Sequence, residues 1–326
     1  MIMKWFENPK PVIGLAPMAD FTDPPFCRVI RECGGSAVLF REMVSAEALI
    51  RGNKKTIEAC AFAEFERPIV LQLFGSDPTT MAKAAIMLEE LYKPDGIDIN
   101  MGCPVPKAVS QSNGAALMRE PILAKEIVIA VKDAINVPLS VKTRLGWSDP
   151  EDAQNFLKIL EAAGADALEI HARTKVQGYS GYADWKMAGK AIKNVKVPVL
   201  INGDVIDPQT AKDALEQSQA QGFLIGRGAL GRPWIFKRID TALQTGNDPK
   251  DPDLKTRLDL MLKHAEYQVE YYGKDSIIKL RKHLPWYLKG MAGFRRLRTE
   301  CVRSQSLDDI KKIVENCLFF YESSLY

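Results

Sequence analysis

Eight short apolar runs follow one another along the first part of the chain, and amphipathic stretches separate them. The runs are nearly continuous in valine, isoleucine and leucine, as expected of parallel strands that are buried on both faces. They cover residues 11–18, 36–40, 68–75, 96–102, 137–144, 165–173, 197–204 and 222–228. The stretches between them, such as 78–93 and 151–164, have the spacing of amphipathic helices. Eight alternations of strand and helix over about 230 residues predict a (β/α)8 barrel, also called a TIM barrel.

An open, doubly wound sheet is the competing fold. It is disfavoured because the alternation repeats eight times and because no G-x-G-x-x-G sequence follows the first run. After residue 240 the pattern changes: TGNDPKDPDLK is rich in proline, glycine and aspartate, and helical periodicity dominates beyond it. The sequence therefore predicts a barrel over 1–244, a linker over 245–255 and a small all-helical domain over 256–326.

The length of 326 residues and the hydrophobic content of 46% suffice for a large core. No apolar stretch approaches the roughly 20 residues of a membrane span. The first ten residues, MIMKWFENPK, lack the apolar centre of an export signal, so we expect a soluble, cytoplasmic protein. Six cysteines form neither a C-x-x-C pair nor a cluster with the three histidines, which predicts reduced thiols and no metal site.

Basic residues are concentrated near the end of the chain. Between Lys274 and Arg303 nine basic residues face two acidic ones, a net charge of +7 that leaves −4 for the rest of a chain whose net charge is +3. This asymmetry favours an anionic macromolecular partner, and the candidate contacts are Arg295, Arg296 and Arg298. A solvated helical face would carry the same charges, so both interpretations stay open at this point.

Polar residues follow the apolar runs where the predicted strands end. Active sites of (β/α)8 barrels lie at the carboxyl ends of the strands, so these side chains should meet at one rim. The candidate site residues in or directly after these runs, which include some small and apolar ones, are Ala16, Pro17, Met18, Gln72, Asn100, Cys103, Lys142, His171, Arg173, Asn202, Gly203, Asp204, Gly226 and Arg227. Polar strand ends on so many strands are difficult to explain by packing alone.

Two glycine-rich turns, NGDV after the seventh run and GRGALG after the eighth, predict a phosphate site. The backbone N–H groups of such turns, together with the positive end of the following helix, bind phosphate, and Arg227 adds a permanent cation. The alternative is that these glycines only form tight turns between strand and helix.

Lys142 would point from the fifth strand into the barrel mouth, where a buried cation needs an anion. A reduced flavin carries negative charge near N1 and the C2 carbonyl group and would meet that need. The amides of Gln72 and Asn100 suit the edge of an isoalloxazine or a uracil, and residues 16–18 offer a stiff turn for a flat ring. His171 is either a donor to such a ligand or a structural histidine.

Cys103 stands in a G-C-P sequence directly after the fourth run, so it begins a loop over the predicted barrel mouth. A thiol of ordinary acidity is mostly protonated at neutral pH, so it can act as a general acid. Most cysteines of a reduced protein are buried and inert, and that is the alternative for Cys103.

Several stretches together resemble the tRNA-dihydrouridine synthases. They are APMADFTDPPFCRVI, ELYKPDGIDINMGCPVPKAVSQSNGAALM, SVKTRLGW, EIHARTKVQGYSGYADW, NGDV and GFLIGRGALGRPWIF. RKHLPWYLKG resembles the bacterial branch that has a helical C-terminal domain. The resemblance covers roughly residues 11–315. Ala172 and Ser112-Asn113 depart from the residues common in the family at those positions, and neither difference removes a catalytic group.

This resemblance implies FMN, held without a covalent bond at the barrel mouth, and NADPH as its reductant. It implies hydride transfer from flavin N5 to C6 of a uridine in tRNA, with Cys103 protonating C5. By position, FMN binding falls to Ala16, Pro17, Met18, Gln72, Lys142, Asn202, Gly203, Asp204, Gly226 and Arg227, to which we add His171. Substrate contacts are assigned to Asn100, Arg173, Lys175, Arg295, Arg296 and Arg298.

Two other functions stay open. A flavin barrel that reduces a free small molecule, such as a dihydroorotate-type enzyme or an ene-reductase, would not need the basic helical domain. A non-catalytic RNA-binding regulator would not need Cys103 and Lys142. The resemblance implies tRNA as the partner and a monomer, although the sequence itself does not show the oligomeric state; we expect neither a metal nor a membrane as a partner.

Overall fold

The computed structural model describes residues 4–7, 11–105, 112–290 and 295–323. The chain forms two compact units. The first comprises Met1–Thr22 and Ser36–Gly226, and the second comprises Asp23–Gly35 and Arg227–Tyr326. Within the described ranges no helix combines the length and the apolar character needed to cross a membrane.

The first unit is built on parallel strands, eight of which coincide with the apolar runs. In chain order they are β1 (Val12–Leu15), β2 (Val38–Phe40), β3 (Val44–Ser45), β4 (Ile69–Phe74), β5 (Gly96–Asn100), β6 (Leu139–Arg144), β7 (Ala167–His171), β8 (Val199–Asn202) and β9 (Gly222–Ile225). The pairing order is β2-β1-β9-β8-β7-β6-β5-β4, and β2 also pairs with β4, which closes an eight-stranded barrel. The two-residue β3 lies beside β4. The predicted (β/α)8 barrel is confirmed.

Helices separate the strands of the first unit. They are α2 (Ala46–Ile50), α3 (Lys54–Ala59), α4 (Pro78–Tyr92), α5 (Pro121–Lys132), α6 (Asp152–Ala162), α7 (Trp185–Ile192) and α8 (Pro208–Ser218), while α1 (Pro24–Glu32) belongs to the second unit. Asp77, Asp184 and Asp207 accept hydrogen bonds from the backbone N–H three residues on, and so cap the starts of α4, α7 and α8. These short polar caps explain why each helix begins where its loop ends.

The amino-terminal end of the barrel is apolar and closed. Trp5, in a single helical turn over Trp5–Glu7, is 1% exposed and packs edge-on against Phe40, with ring centroids 5.3 Å apart. Gly96 at the start of β5 leaves room for this indole, because a Cβ there would lie 2.6 Å from Trp5 Nε1. Apolar packing therefore covers this end of the barrel, and the polar strand ends lie at the opposite rim.

The second unit is helical. Besides α1 it contains α9 (Ile235–Thr245), α10 (Leu254–Tyr272), α11 (Ile277–Leu280), α12 (Leu284–Tyr287), α13 (Arg295–Cys301) and α14 (Leu307–Ser323). Its core includes Leu258, Met261, Leu284, Tyr287 and Ile310, each nearly or fully buried. The fold class is thus the predicted one, a barrel followed by a small helical unit.

The boundary between the units differs from the predicted domain limits. Helix α1 joins the helical unit because Arg28 Nη1 pairs with Glu270 Oε1 at 3.0 Å and the ring of Phe26 stacks on His264. Residues 245–255, predicted as a linker between domains, connect two helices of this unit. Asp251 is held there by Arg238 at 2.8 Å and by the indole N–H of Trp234 at 3.0 Å. A polar, proline-rich sequence is common to tethers and to fixed loops, so composition alone could not distinguish them.

Asp251→Ala should destabilise the helical unit by about 1–3 kcal/mol, because it leaves Nη1 of the partly buried Arg238 and the indole N–H of Trp234 without their acceptor, although Asp248 still accepts from Nε and Nη2 of Arg238. Burial raises the pKa of Asp251, but the bond from Trp234 and the charges of Arg232 and Arg238 outweigh it and lower the pKa overall. The carboxylate therefore stabilises the fold above its ordinary pKa, and this contribution is lost as the pH falls below it.

Thermal melts of wild type and variant from pH 7 to pH 3 check this expectation. The difference in melting temperature should shrink toward acid, whereas Asp259→Ala, an exposed aspartate of α10, should match wild type throughout. A difference that is independent of pH would contradict the ion-pair explanation.

Candidate active site

Amide side chains of β4 and β5 form a hydrogen-bonded series. Gln72 donates from Nε2 to Asp98 Oδ2 at 2.5 Å, and Asn100 donates from Nδ2 to Gln72 Oε1 at 2.9 Å. Asn100 Oδ1 in turn accepts from the backbone N–H of Cys103 at 3.0 Å. The amides are thus fixed in one orientation, and the last of them positions the cysteine turn.

Cys103 is half-buried on a turn that other contacts also fix. Its carbonyl oxygen accepts from Ala115 N at 3.0 Å, and the preceding carbonyl, of Gly102, accepts from Arg144 Nε at 2.7 Å. Gly114 has a positive φ of 60°, and a Cβ there would lie 2.9 Å from that Cys103 oxygen, so only glycine fits without strain. The thiol is therefore held at the rim by its own backbone.

Lys142 reaches the same rim from β6. Its Nζ donates to Asn202 Oδ1 at 3.1 Å, and Asn202 Nδ2 donates to the carbonyl of Leu224 at 2.9 Å. Burial and the nearby Arg144 lower the pKa of Lys142 to about 8, against the opposing influence of buried carboxylates. A lysine so placed keeps its charge near neutral pH but is poorly solvated, so an anion at the rim would stabilise it.

Arg173 is 1% exposed and braces the loop that follows β7. Its Nη2 donates to Asp204 Oδ2 at 2.5 Å and to the carbonyl of Gly181 at 2.7 Å, and its Nε donates to Ser180. Within the described ranges its Nη1 is buried and has no hydrogen-bond partner. These hydrogen bonds stabilise the loop after β7. The predicted contact between Arg173 and the substrate stays a prediction.

The turn after β8 opens a cradle beside that nitrogen. Gly203 has φ of 121°, and a Cβ there would lie 2.9 Å from Ala183 Cβ and 3.6 Å from both Arg173 Nη1 and His171 Nε2. His171 is 7% exposed and meets the ring of Tyr179 edge-on at 6.2 Å. The guanidinium of Arg173 and the imidazole of His171 thus lie beside the backbone of Gly203, where a side chain would collide with Ala183.

Residues 16–18 lie against the turn after β9. A Cβ at Gly226 would be 3.6 Å from Met18 Sδ and 3.7 Å from Ala16 Cβ. Thr22 Oγ1 fixes this segment by accepting from Met18 N at 3.0 Å. Arg227, the first residue of the second unit, is exposed.

Lys175 lies beside Trp147, an aromatic residue that was not among the site residues predicted from the sequence. Lys175 Nζ lies 4.2 Å from the ring centroid of Trp147, and Arg119 lies 5.0 Å from the same ring. Such cation–π contacts leave the ammonium partly solvated and able to bind an anion. Trp147 follows β6 within the segment SVKTRLGW, and its position shortly after a strand end could have identified it as a site residue.

The three arginines of α13 differ from one another. Arg295 and Arg296 are exposed, and Arg296 Nε pairs with Glu300 at 3.1 Å. Arg298 is less exposed and donates to the carbonyl of Leu288 at 3.2 Å. Arg298 therefore has a structural bond to lose, whereas Arg295 and Arg296 are presented to solvent.

Two buried carboxyls, Asp98 and Glu169, were not predicted as site residues. Each lies two positions before a predicted site residue, Asn100 and His171 respectively, and alternate residues of a strand share a face. Both are 0% exposed. Period-two alternation was therefore the signal that could have identified them.

A separate group of titratable side chains lies in the helical unit. Asp23, His264 and His283 are buried, and one ligand atom from each lies within 4.8 Å of the others. Burial lowers the pKa of His264 to about 3 and that of His283 well below its ordinary value, so both rings are neutral. Neutral imidazoles and a carboxylate are common metal ligands, and the spacing of the cysteines does not tell whether this group binds a metal. The expected absence of a metal thus stays a prediction.

A closed barrel with a fixed thiol, an amide series and a poorly solvated lysine at its carboxyl rim belongs to the class of barrel proteins that act on a ligand held at that rim. The family model described as Dihydrouridine synthase (Dus) matches residues 14–320. The chain belongs to the dihydrouridine synthase family.

Curated relatives cover nearly the whole chain. The probable tRNA-dihydrouridine synthase of Rhodobacter capsulatus is 39% identical over 298 residues, 90% of this chain and 90% of the relative. That of Rickettsia bellii is 37% identical over 289 residues, 88% of each. The tRNA-dihydrouridine synthase B of Pseudomonas aeruginosa is 36% identical over 296 residues, 90% of this chain and 89% of the relative.

Solved structures share the fold. Histamine dehydrogenase from Rhizobium sp. 4-9 matches 78% of this chain with a TM-score of 0.55, and a 2-naphthoyl-CoA reductase complex matches 72% with a TM-score of 0.54. Both are 12% identical in sequence, and the match spans about half of each, 48% and 50%. At that identity the likeness concerns the barrel alone.

Proposed function

We propose that this protein is an FMN-dependent oxidoreductase that reduces the C5–C6 double bond of uridines in tRNA, with NADPH as the source of electrons. Membership of the dihydrouridine synthase family supports the reaction, and the names of the relatives support tRNA as the substrate. The observation that carries the proposal is the fixed turn that presents Cys103 at the same rim as Lys142. The reaction belongs in the cytoplasm, and the protein acts as a monomer without a metal.

The residues of the rim fit FMN. Lys142 supplies the cation that a reduced flavin ring needs near N1 and the C2 carbonyl group. Gln72 and Asn100 each keep a second amide N–H for a carbonyl of the ring or of the base. The cradle at Gly203, with the buried Nη1 of Arg173, suits a phosphate oxygen. When bound, the flavin supplies a hydride to C6 of the uracil.

Cys103 supplies the proton for C5. Reduction of a carbon–carbon double bond adds a hydride to one carbon and a proton to its neighbour, and a protonated thiol is a suitable acid. Asn100 and Ala115 fix the two backbone groups of Cys103, so the thiol moves little relative to the rim. Because Cys103 is half-buried, solvent can return the proton after each turnover.

The helical unit binds the RNA. A uridine within tRNA must leave its stack to reach a barrel mouth, and the enzyme must hold the remaining RNA by its shape and phosphates. Arg295 and Arg296 present exposed guanidinium groups for this purpose, and Lys175 adds a cation beside Trp147 on the barrel unit. Affinity for tRNA should therefore fall as salt rises.

Purified wild-type protein should be yellow and contain about one FMN per chain. Lys142→Met should raise the dissociation constant of FMN about ten- to a hundredfold, since a bond to a charged group contributes roughly 1.5–3 kcal/mol. Because the pKa of Lys142 is about 8, wild-type affinity should weaken as the pH rises through that value, and the variant should not follow. Fluorescence titration measures both.

Lys186→Met, at an exposed lysine of α7, is the matched control and should bind FMN as wild type does. Protein that stays colourless after reconstitution with FMN would refute the choice of cofactor. Equal affinity of Lys142→Met and wild type at all pH values would refute the role of the lysine.

Cys103→Ala should keep FMN and accept electrons from NADPH at the normal rate, yet form dihydrouridine roughly 10²–10⁴-fold more slowly, the usual cost of losing a general acid. The measurement is mass spectrometry of an unmodified tRNA transcript after incubation with NADPH, with anaerobic flavin bleaching followed in parallel. Cys33→Ala, at a half-buried cysteine of the helical unit, should turn over normally.

An unchanged rate in Cys103→Ala would show that the thiol is not the acid. Unmodified tRNA with wild-type protein, alongside normal flavin reduction, would favour reduction of a free small molecule instead. The position of the new dihydrouridine in the transcript also identifies the uridine that the enzyme reduces.

The double change Arg295→Glu and Arg296→Glu should weaken tRNA binding and lower the salt dependence by about one unit per lost phosphate contact, with FMN content unchanged. Lys193→Glu with Lys196→Glu, at exposed positions of the barrel unit, makes the same charge change and should have a smaller effect. Filter binding at several salt concentrations, with a thermal melt of each variant, provides the comparison.

Arg298→Glu should in addition lower the melting temperature, because the bond to the Leu288 carbonyl is lost. Equal affinity of the double variant and wild type at low salt would show that the basic window is a solvated face and that the RNA lies elsewhere.

A further inference from the structure

The side chain of Glu169 lies inside the barrel without any donor to bind. It is 0% exposed, and within the described ranges neither of its oxygens has a hydrogen-bond partner. The groups within hydrogen-bonding reach are the carboxyl of Asp98 and the hydroxyl of Ser140. Ser140 has a single hydroxyl proton and donates it to Asp98 Oδ1 at 2.8 Å. An ionised Glu169 would therefore be a buried charge without a hydrogen bond, facing a second carboxylate.

Asp98 is the member of the pair that has hydrogen-bond donors. It accepts one hydrogen bond from Ser140 and a second from Gln72 Nε2 at 2.5 Å. Two donors stabilise a carboxylate, whereas none stabilises that of Glu169. Lys142, the strand partner of Glu169 on β6, adds one further charge. The neighbours on the other strands, Leu200 on β8 and Gln72 on β4, are uncharged.

We infer that Glu169 retains its proton at neutral pH and donates it to Asp98, so that Asp98 remains the acceptor at which the amide series of the active site begins. The balance is one proton for two carboxyl groups, with one negative charge on Asp98 that interacts with the ammonium of Lys142. Consistent with this, burial first and then Asp98 raise the pKa of Glu169 well above its ordinary value, against the influence of Lys142.

A carboxylate at position 98 sets the donor-to-acceptor direction of the hydrogen bonds along the amide series. An acceptor at Asp98 requires Gln72 to turn its Nε2 toward it and its Oε1 toward Asn100. Asn100 must then donate to Gln72 and accept from the backbone N–H of Cys103. Glu169 is thus a positioning residue, since it acts on the cysteine turn through three intervening side chains and touches no reacting atom. The importance of the cysteine turn for catalysis rests on the proposed function. The protonation of Glu169 does not rest on it.

Glu169→Gln tests the protonation, because a carboxamide has the shape and the hydrogen-bonding ability of a protonated carboxyl group but cannot ionise. In the unfolded chain Glu169 ionises above its ordinary pKa of 4.5, which favours unfolding of wild type increasingly as the pH rises toward the raised folded value. Glu169→Gln lacks this penalty. Its melting temperature should match wild type near pH 4.5 and exceed it by several degrees at pH 8.

The melts use the full chain with excess FMN, and Glu216→Gln, at an exposed glutamate of α8, is the control that should show no growing difference. A Glu169→Gln variant that is less stable than wild type at pH 8, or that differs by the same amount at every pH, would overturn the inference. Neither outcome depends on whether tRNA is the substrate.

The positioning role has its own measurement, the rate at which iodoacetamide alkylates Cys103, located by peptide mass spectrometry. Glu169→Gln should keep the wild-type rate, since Asp98 remains the acceptor. Asp98→Asn with Glu169→Gln should change the rate several-fold, because a neutral amide at 98 no longer fixes the direction of Gln72 and Asn100. Equal rates in all three proteins would show that the amide series does not control the turn.

Discussion

Closure of the parallel sheet is the constraint on which the rest of the molecule depends. Once eight strands run in one direction around a barrel, their carboxyl ends share one rim, and the register decides which side chains face each other. Here Gln72 is opposite Asp98, Asn100 is opposite Lys142, and His171 is opposite Asn202. Side chains that are far apart in the sequence thus become neighbours without any loop having to place them, and Gln72 and Asp98 form a hydrogen bond.

A polar barrel interior has an energetic cost that only complete pairing offsets. Buried amides and carboxyls lose water, and each one left without a partner costs roughly 1–3 kcal/mol. The series from Asp98 through Gln72 and Asn100 to the Cys103 backbone satisfies these groups in turn. The same bonds that remove the desolvation cost fix the turn that carries the thiol, so stability and positioning have one physical origin.

The barrel was predictable because buried parallel strands leave continuous apolar runs, and each of the eight predicted runs contains an observed strand. The rim residues were predictable because polarity at strand ends is conspicuous against such runs. Side-chain pairing was not: nothing in the letters shows that Arg173 braces Asp204, or that α1 belongs with α10. Those outcomes depend on residues distant in the chain, and composition does not record them.

The inferred charge state of the interior is compatible with the proposed binding of an anionic ligand at the rim. If both Asp98 and Glu169 were ionised, two negative charges would oppose the single ammonium of Lys142, and the excess would repel any anion at the rim. With the proton on Glu169, one carboxylate balances one ammonium. The two carboxyl groups then add no excess negative charge that would repel an anion at the rim.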